Sequence, residues 1–180
     1  MTYPRNVLGI AGWSGTGKTA LIVRLIPELT RRGYRVSTIK HAHHDFDIDT
    51  PGKDSYAHRE AGAAEVAISS AQRWAILHDN GRDPEPSLDQ ILARMSRADL
   101  YLVEGYKSAP HPKIEVHRKA RRGDMICTAN RSIVAVASDA TDDPAVVRLG
   151  LPLLDLDDVA AIADFVVAYC GLGKRVQGAV

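Results

Sequence analysis

The sequence lacks several features that mark specialised classes of protein. It has only two cysteines in 180 residues, which excludes a miniprotein held by disulfides, so Cys127 and Cys170 are expected to be free and reduced. No apolar run reaches the roughly 18 residues of a transmembrane helix. Residues 1–6 also lack the basic and apolar regions of a signal peptide. We therefore expect a cytoplasmic protein that makes no contact with a membrane.

Net charge is equally small. The 23 Lys and Arg residues nearly cancel the 22 Asp and Glu residues and leave +1, which excludes the broad positive field of a dedicated nucleic-acid binder. The charge is uneven, however, because 113–122 holds five basic residues against Glu115 alone, whereas 139–164 holds seven aspartates against Arg148. Local basic patches are therefore compatible with the small net charge.

Length and composition describe one globular domain. The chain has 45% hydrophobic and 25% charged residues, close to the average of soluble domains, and its length fits a single core. We expect one domain over residues 1–170. The Gly-rich stretch 171–180 is expected to be a flexible tail.

Short apolar runs alternate with longer stretches of helical periodicity. This alternation is typical of an α/β fold with a mostly parallel, twisted sheet flanked by helices. Helices are predicted at Lys18–Arg32, from Ser87 with capping-box spacing to Gln90, and from about Asp155–Asp158 to Cys170. Strands are predicted at Val7–Ala11, Val36–Ile39, Glu65–Ser69, Trp74–Leu77, Leu100–Glu104, Lys113–His117 and Ile133–Ala137.

A phosphate-binding loop follows the first predicted strand and precedes the first predicted helix. The segment matches the pattern G-x-x-x-x-G-K-[ST] and reads Gly12-Trp13-Ser14-Gly15-Thr16-Gly17-Lys18-Thr19. Glycines let consecutive backbone N–H groups point at an anion, and the helix N-terminus adds its positive dipole end. Lys18 is expected to reach the β- and γ-phosphates, and the Thr19 hydroxyl to bind Mg²⁺. The fold is therefore predicted to be that of a P-loop NTPase.

A second strand, Leu100–Glu104, ends in an acidic residue followed by Gly105. A buried strand that delivers Glu104 beside the phosphate loop would complete the magnesium shell or orient a water. The alternative is a carboxylate that caps a helix or pairs with a lysine.

A segment rich in histidine and aspartate, residues 40–49, follows the second predicted strand. Asp45, Asp47 and Asp49 alternate, so in an extended chain they share one face and could hold magnesium or position water. The alternative is a solvated acidic turn. His41, His43 and His44 could bind a transition metal, although only His41 and His43 share a face.

A predicted helix follows this segment and carries Arg59. Its guanidinium could contact an anionic substrate, or could simply pair with Glu60 or Asp54.

Four segments, taken together, are distinctive enough to indicate a protein family. Besides the phosphate loop they are Lys40-His41-Ala42-His43-His44-Asp45-Phe46-Asp47-Ile48-Asp49-Thr50-Pro51-Gly52-Lys53-Asp54-Ser55, Val103-Glu104-Gly105-Tyr106-Lys107 and Pro112-Lys113-Ile114-Glu115-Val116-His117-Arg118. In this order they resemble the MobB family of molybdopterin-guanine dinucleotide biosynthesis adapter proteins. The resemblance covers about residues 7–137.

The resemblance implies a GTP-binding protein, usually a homodimer, that assists the guanylyltransferase joining GMP to molybdopterin. Its GTP hydrolysis would be weak and dependent on Mg²⁺. Carried onto this chain, Lys18, Glu104 and Asp47 would be catalytic. The triphosphate would bind to Gly12–Thr19, and the magnesium shell would draw on Thr19, Asp45, Asp47 and Glu104.

Three basic residues in the fourth segment would face the anionic pterin phosphate or the protein partner under this resemblance: Lys113, His117 and Arg118. The alternative is a solvated basic strand edge. The guanine-reading motif N-K-x-D is absent, and Asp139, just after the strand at 133–137, is the carboxylate predicted to bind the guanine. The preference for GTP over ATP comes from the resemblance alone.

Two other functions fit the same phosphate loop. A small-molecule kinase could use His58 or Arg59 at its acceptor site. A GTPase that delivers a metal could use His41, His43 and His44.

Overall fold

The computed structural model describes residues 3–42, 46–121 and 123–173. Two compact units are present, one from residues up to 41 and from 96 onward, and the other within 42–95. The second unit is an insertion in the chain of the first. Both include parts of residues 1–170, for which the sequence predicts one domain.

The elements follow one another as strands and helices with short connections. In chain order they are β1 (Val7–Ala11), α1 (Lys18–Arg31), β2 (Val36–Lys40), α2 (Asp54–Glu60), β3 (Glu65–Ser69), β4 (Trp74–His78), α3 (Leu88–Arg94), β5 (Leu100–Glu104), β6 (Lys113–His117), β7 (Ile133–Ser138), α4 (Pro144–Val147), β8 (Leu153–Asp155) and α5 (Val159–Cys170), with a 3-10 turn at Ile126–Thr128.

Six parallel strands form the sheet of the first unit, in the order β2-β5-β1-β6-β7-β8. All five residues of β1 are buried, and β5 and β6 pair with it on either side. Since the strands are parallel, the segments that leave β1, β5 and β6 at their carboxyl ends start at the same edge of the sheet. This topology confirms the predicted α/β fold and the mostly parallel sheet.

Helices α1 and α5 supply the apolar cover of the sheet. In α1 the residues Leu21, Ile22, Leu25 and Leu29 are buried, at the spacing of three and four that was predicted. In α5 the buried residues are Ile162, Ala163, Val166 and Cys170. All of them join one core with the sheet. Both cysteines are free, as predicted.

The second unit contains α2, α3 and an antiparallel hairpin of β3 and β4. The two strands lie where predicted, but they pair with each other and take no part in the parallel sheet. The reason is their connection, because four residues, 70–73, can close a hairpin but cannot make a parallel crossover. The predicted capping box of α3 is present, since Ser87 and Gln90 bond reciprocally.

Lys113 does not face a substrate or a partner, contrary to the prediction from the sequence. Its side chain is fully buried, and its ammonium group donates to the carbonyls of Ala109 and His111 and to the Ser132 hydroxyl. Burial lowers the pKa of Lys113 to about 8. A lysine enclosed in this way cannot face an anionic substrate or a protein partner. The alternative of a basic strand edge is also wrong, because β6 lies between β1 and β7.

His111 is a second buried base in the same segment. Neither ring nitrogen has a hydrogen-bond partner among the described residues, and the imidazole is fully buried. Burial, and then the charge of Lys113, lower the pKa of His111 from 6.5 to about 4. Between these two pKa values the unfolded chain binds a proton that the native state does not, so the free energy of unfolding must fall as the pH is lowered through that window.

Replacing His111 by leucine is expected to remove this pH dependence. At pH 5 the shift from 6.5 to about 4 corresponds to roughly 2 kcal/mol of stability lost relative to pH 7.5. Urea unfolding of the native protein and of His111→Leu at both pH values measures the difference. The exposed His58→Gln is the matched control and should keep the native loss. An equal loss in His111→Leu would contradict the assignment.

Within the described residues, no helix has the length and hydrophobicity needed to cross a bilayer.

Candidate functional site

The phosphate loop connects β1 to α1 through three glycines with positive φ. They are Gly12 at 144°, Gly15 at 78° and Gly17 at 99°. At Gly12 a side chain is also excluded by space, because a Cβ would lie 2.6 Å from the Val116 carbonyl oxygen and 2.7 Å from the Thr16 hydroxyl. Only glycine satisfies both constraints. The predicted order of strand, loop and helix is therefore present, with the loop at the carboxyl end of the central strand.

Lys18 is the first residue of α1, and its ammonium group lies across the loop. It donates to the carbonyl oxygen of Trp13 at 2.9 Å. The pKa of Lys18 is lowered chiefly by burial, with further lowering by the charges of Lys107 and Lys40, while the charge of Glu104 opposes the shift. A cation held in a partly desolvated position near other cations gains most from an incoming anion. Its placement is that of a phosphate-binding lysine.

Thr19 and Glu104 are brought together from positions 85 apart in the sequence. The Thr19 hydroxyl donates to a Glu104 carboxylate oxygen at 2.8 Å. The sheet accounts for the contact, because Glu104 ends β5 and pairs in register with Ile10 of β1, just before the loop. A hydroxyl and a carboxylate oxygen are the donors that Mg²⁺ prefers in proteins. The two residues therefore fit a magnesium ion beside the phosphate loop.

Arg118 packs against the loop from the end of β6. Its Nε donates to the Thr16 carbonyl at 3.4 Å, and its terminal nitrogen donates to Asp139 at 3.3 Å. Asp139 also accepts the backbone N–H of Lys119 at 2.8 Å, and that bond is the main reason that the pKa of Asp139 is lowered. Arg118 and Asp139 thus lie beside the phosphate loop. His117, the third basic residue predicted to face a substrate or a partner, is half-buried at the end of β6.

Trp13 projects from the loop with 41% of its surface exposed. Its indole N–H donates to the Asp124 carbonyl at 3.0 Å. Two cations approach the ring, the Lys107 ammonium at 5.3 Å and the Arg121 guanidinium at 5.0 Å from the ring centroid. No role was predicted for Lys107 or Arg121 from the sequence. The available signal was their position a few residues beyond β5 and β6, the two strands that flank β1.

Asp47 and Arg59 form an ion pair within the second unit. The guanidinium donates to both carboxylate oxygens, at 2.6 and 3.1 Å. This bond is the main cause of the lowered pKa of Asp47. Arg59 therefore pairs with Asp47, and the expected pairing with Glu60 or Asp54 is not the one found. The roles predicted for Asp47 in magnesium binding and catalysis, and for Arg59 toward a substrate, stay predictions.

The predicted histidine metal site falls mostly outside the described residues. His43, His44 and the predicted magnesium ligand Asp45 are not described. Among the residues that are, no three His, Cys, Asp or Glu side chains are grouped so that they could hold a metal ion. The last seven residues of the predicted tail, 174–180, are likewise outside the described part.

Comparison with known proteins shows the family to which this chain belongs. Residues 7–139 match the family model described as "MobB: Molybdopterin guanine dinucleotide synthesis protein B". The chain belongs to the MobB family. The matched stretch takes in all the strands that carry the phosphate loop, Glu104 and Arg118.

Relatives of the MobB family match over almost the whole chain. The "Molybdopterin-guanine dinucleotide biosynthesis adapter protein" of Escherichia coli (strain K12) is 44% identical over 168 residues, which cover 91% of this chain and 92% of that protein. The protein of the same name from Haemophilus influenzae is 42% identical and covers 89% and 86%. A crystal structure of "molybdopterin-guanine biosynthesis protein B (mobB)" superposes with a TM-score of 0.69 at 28% identity, covering 90% of this chain and 98% of that one.

Proposed function

We propose that this MobB-family chain is a cytoplasmic adapter that binds Mg-GTP and assists the guanylyltransferase converting molybdopterin to molybdopterin guanine dinucleotide. The observation that carries the proposal is the phosphate loop, across which Lys18 lies and beside which Thr19 and Glu104 pair. The relatives of the chain are named as adapters of this biosynthesis. The guanine in that name supports GTP over ATP. By family resemblance the adapter acts as a homodimer.

Each part of the site has a step to perform. The loop amides and the N-terminus of α1 bind the phosphates, and Lys18 transfers its hydrogen bonds from the Trp13 carbonyl to the β- and γ-phosphates. Thr19 and Glu104 would hold the Mg²⁺ that neutralises charge on the same phosphates.

Hydrolysis is expected to be slow for a reason visible at Glu104. One of its oxygens accepts the Thr19 hydroxyl, and its charge also acts on Lys18. A carboxylate committed to the magnesium side of the site suits charge neutralisation better than proton abstraction from water. Binding and release of nucleotide, more than turnover, would then control the adapter.

Neither alternative function gains support. The kinase alternative uses His58 or Arg59 at an acceptor site, but the two terminal nitrogens of Arg59 each donate a hydrogen bond to Asp47, and no observation favours His58. The alternative of metal delivery uses His41, His43 and His44, of which His43 and His44 lie outside the described residues. The named relatives are adapters, which matches the leading hypothesis.

The test reconstitutes the reaction with the guanylyltransferase, molybdopterin and Mg-GTP. Adding the chain is expected to raise the yield of dinucleotide at limiting transferase, and gel filtration should detect a complex of the two proteins. The matched control adds Lys18→Ala in place of the unaltered chain, so that the transferase keeps its own Mg-GTP while the phosphate loop of the chain lacks its lysine. If the chain neither raises the yield nor binds the transferase, the adapter role is wrong.

A further inference from the structure

Two cations beside the phosphate loop are not used by the function proposed above. Lys107 lies three residues beyond Glu104, and Arg121 lies in the segment that follows β6. Both approach the ring of Trp13, at 5.3 and 5.0 Å from its centroid. Trp13 itself belongs to the loop, and its carbonyl is the group to which Lys18 donates. Trp13 therefore contacts Lys18 through its carbonyl and the two other cations through its ring.

The sheet order explains why these residues meet. Strands β5 and β6 pair with β1 on opposite sides, so the segments that leave their carboxyl ends flank the loop that leaves β1. One segment supplies Lys107 and the other supplies Arg121. The ring is fixed between them because its N–H donates to Asp124 in the same segment as Arg121.

The segment after β6 is anchored on both sides of Arg121. On one side Arg118 bonds to the Thr16 carbonyl and to Asp139. On the other side the buried Glu115 carboxylate accepts the backbone N–H groups of Ile126 and Cys127 at 2.7 and 2.8 Å. A basic side chain on a segment anchored in this way is positioned by the fold, which distinguishes it from an ordinary solvated surface charge.

The contact of each cation with the ring suits a site that binds an exchangeable ligand. An aromatic face attracts a cation weakly when the ring is exposed to solvent, as Trp13 is. A phosphate offers a guanidinium two parallel charge-assisted hydrogen bonds, which are stronger than a cation–π contact with an exposed ring. Lys107 also depresses the pKa of Lys18, so the two ammonium groups repel each other and an anion placed between them would relieve that repulsion.

We propose that Trp13, Lys107 and Arg121 form a second phosphate subsite beside Lys18, in which the two cations at the ring bind a phosphate. The subsite rests on the nucleotide binding of the proposed function. Its phosphate is either the γ-phosphate of the bound triphosphate or a phosphomonoester on a second ligand. Both are tetrahedral oxyanions, which the same pair of cations recognises.

The test uses Trp13 as its own reporter. The chain has two tryptophans, so Trp74→Phe, which changes an exposed side chain of the hairpin, leaves Trp13 as the single emitter. Mg-GTP, Mg-GDP, inorganic phosphate and phenyl phosphate are titrated in turn into this protein and into Lys107→Ala/Arg121→Ala made in it. Arg148→Ala, which removes one positive charge from an exposed position, is the matched control.

The two sources of phosphate give different results. If the γ-phosphate occupies the subsite, the double variant binds Mg-GTP about tenfold or more weakly and Mg-GDP as before, since two charge-assisted contacts are lost. If a second ligand occupies it, GTP and GDP bind as before, but the response of the GDP-loaded protein to phenyl phosphate is lost in the double variant. The control keeps every response.

A double variant that binds all four compounds like the control overturns the subsite. That failure is distinct from failure of the proposed function. In the latter case the unaltered protein itself would show no binding of Mg-GTP by calorimetry, and the titration of the nucleotide-free protein with inorganic phosphate would still test Lys107 and Arg121.

Discussion

Lys18→Ala is expected to lower the affinity for Mg-GTP by about 100- to 1,000-fold, which is the loss of two charge-assisted hydrogen bonds to phosphate. Stability should change little. In the protein without nucleotide the Lys18 ammonium makes one hydrogen bond within the described part of the chain, to the Trp13 carbonyl, and burial works against its charge. Removing the side chain therefore removes a desolvation cost along with that bond.

Two measurements separate these effects. Isothermal calorimetry with Mg-GTP gives the affinity, and urea unfolding gives the free energy of unfolding, which should stay within about 0.5 kcal/mol of the native value. Arg148→Ala again removes one positive charge elsewhere and should bind normally. A Lys18→Ala protein that is folded and binds within a few fold of the native affinity would mean that the loop is not a nucleotide site.

The phosphate loop could be predicted because everything it needs is local in sequence. Three glycines, a lysine and a threonine lie within eight residues, directly after a buried strand and before an amphipathic helix. The meeting of Thr19 with Glu104 needed one further step, namely that a second apolar strand ending in a carboxylate pairs beside the first. Both inferences rest on strong periodic patterns.

Lys113 could not be interpreted correctly from its sequence. A lysine in a basic stretch is ordinarily solvated, and nothing in the local pattern shows that Ala109, His111 and Ser132 supply its three acceptors. Ser132 is 19 residues away. The Trp13 cluster escaped prediction for a similar reason, because its members come from three connections that only the strand order brings together.

The two shortest elements, α4 and β8, were not predicted because they are too short to show a hydrophobic pattern. Helix α4 has four residues and β8 has three, which is barely one turn of helix and too few alternations for a strand. They complete one end of the sheet and carry no residue of the candidate site. Strands β3 and β4, by contrast, were predicted at the right positions. They pair with each other because the turn between them is short.

Glu115→Ala is expected to destabilise the protein by about 3 to 5 kcal/mol, because two backbone N–H groups would lose a charged acceptor in a buried position. Glu115 is buried in β6 and accepts the N–H groups of Ile126 and Cys127. Urea unfolding measures the loss. Glu115→Gln keeps one acceptor oxygen and should lose less, and Glu65→Ala, which removes an exposed carboxylate paired with His78, should change stability by less than about 1 kcal/mol.

Glu115→Ala should also have measurable effects at Cys127 and Trp13. Burial, and then the charge of Glu115, raise the pKa of the Cys127 thiol to about 12, so Glu115→Ala should speed alkylation of Cys127 while the buried Cys170 stays slow. Because Glu115 anchors the segment whose Asp124 carbonyl fixes the Trp13 ring, the emission of Trp13 should also shift. A destabilised variant with native alkylation and native emission would show that Glu115 supports the sheet alone, whereas changes in all three would connect the buried carboxylate of β6 to the geometry of the phosphate loop.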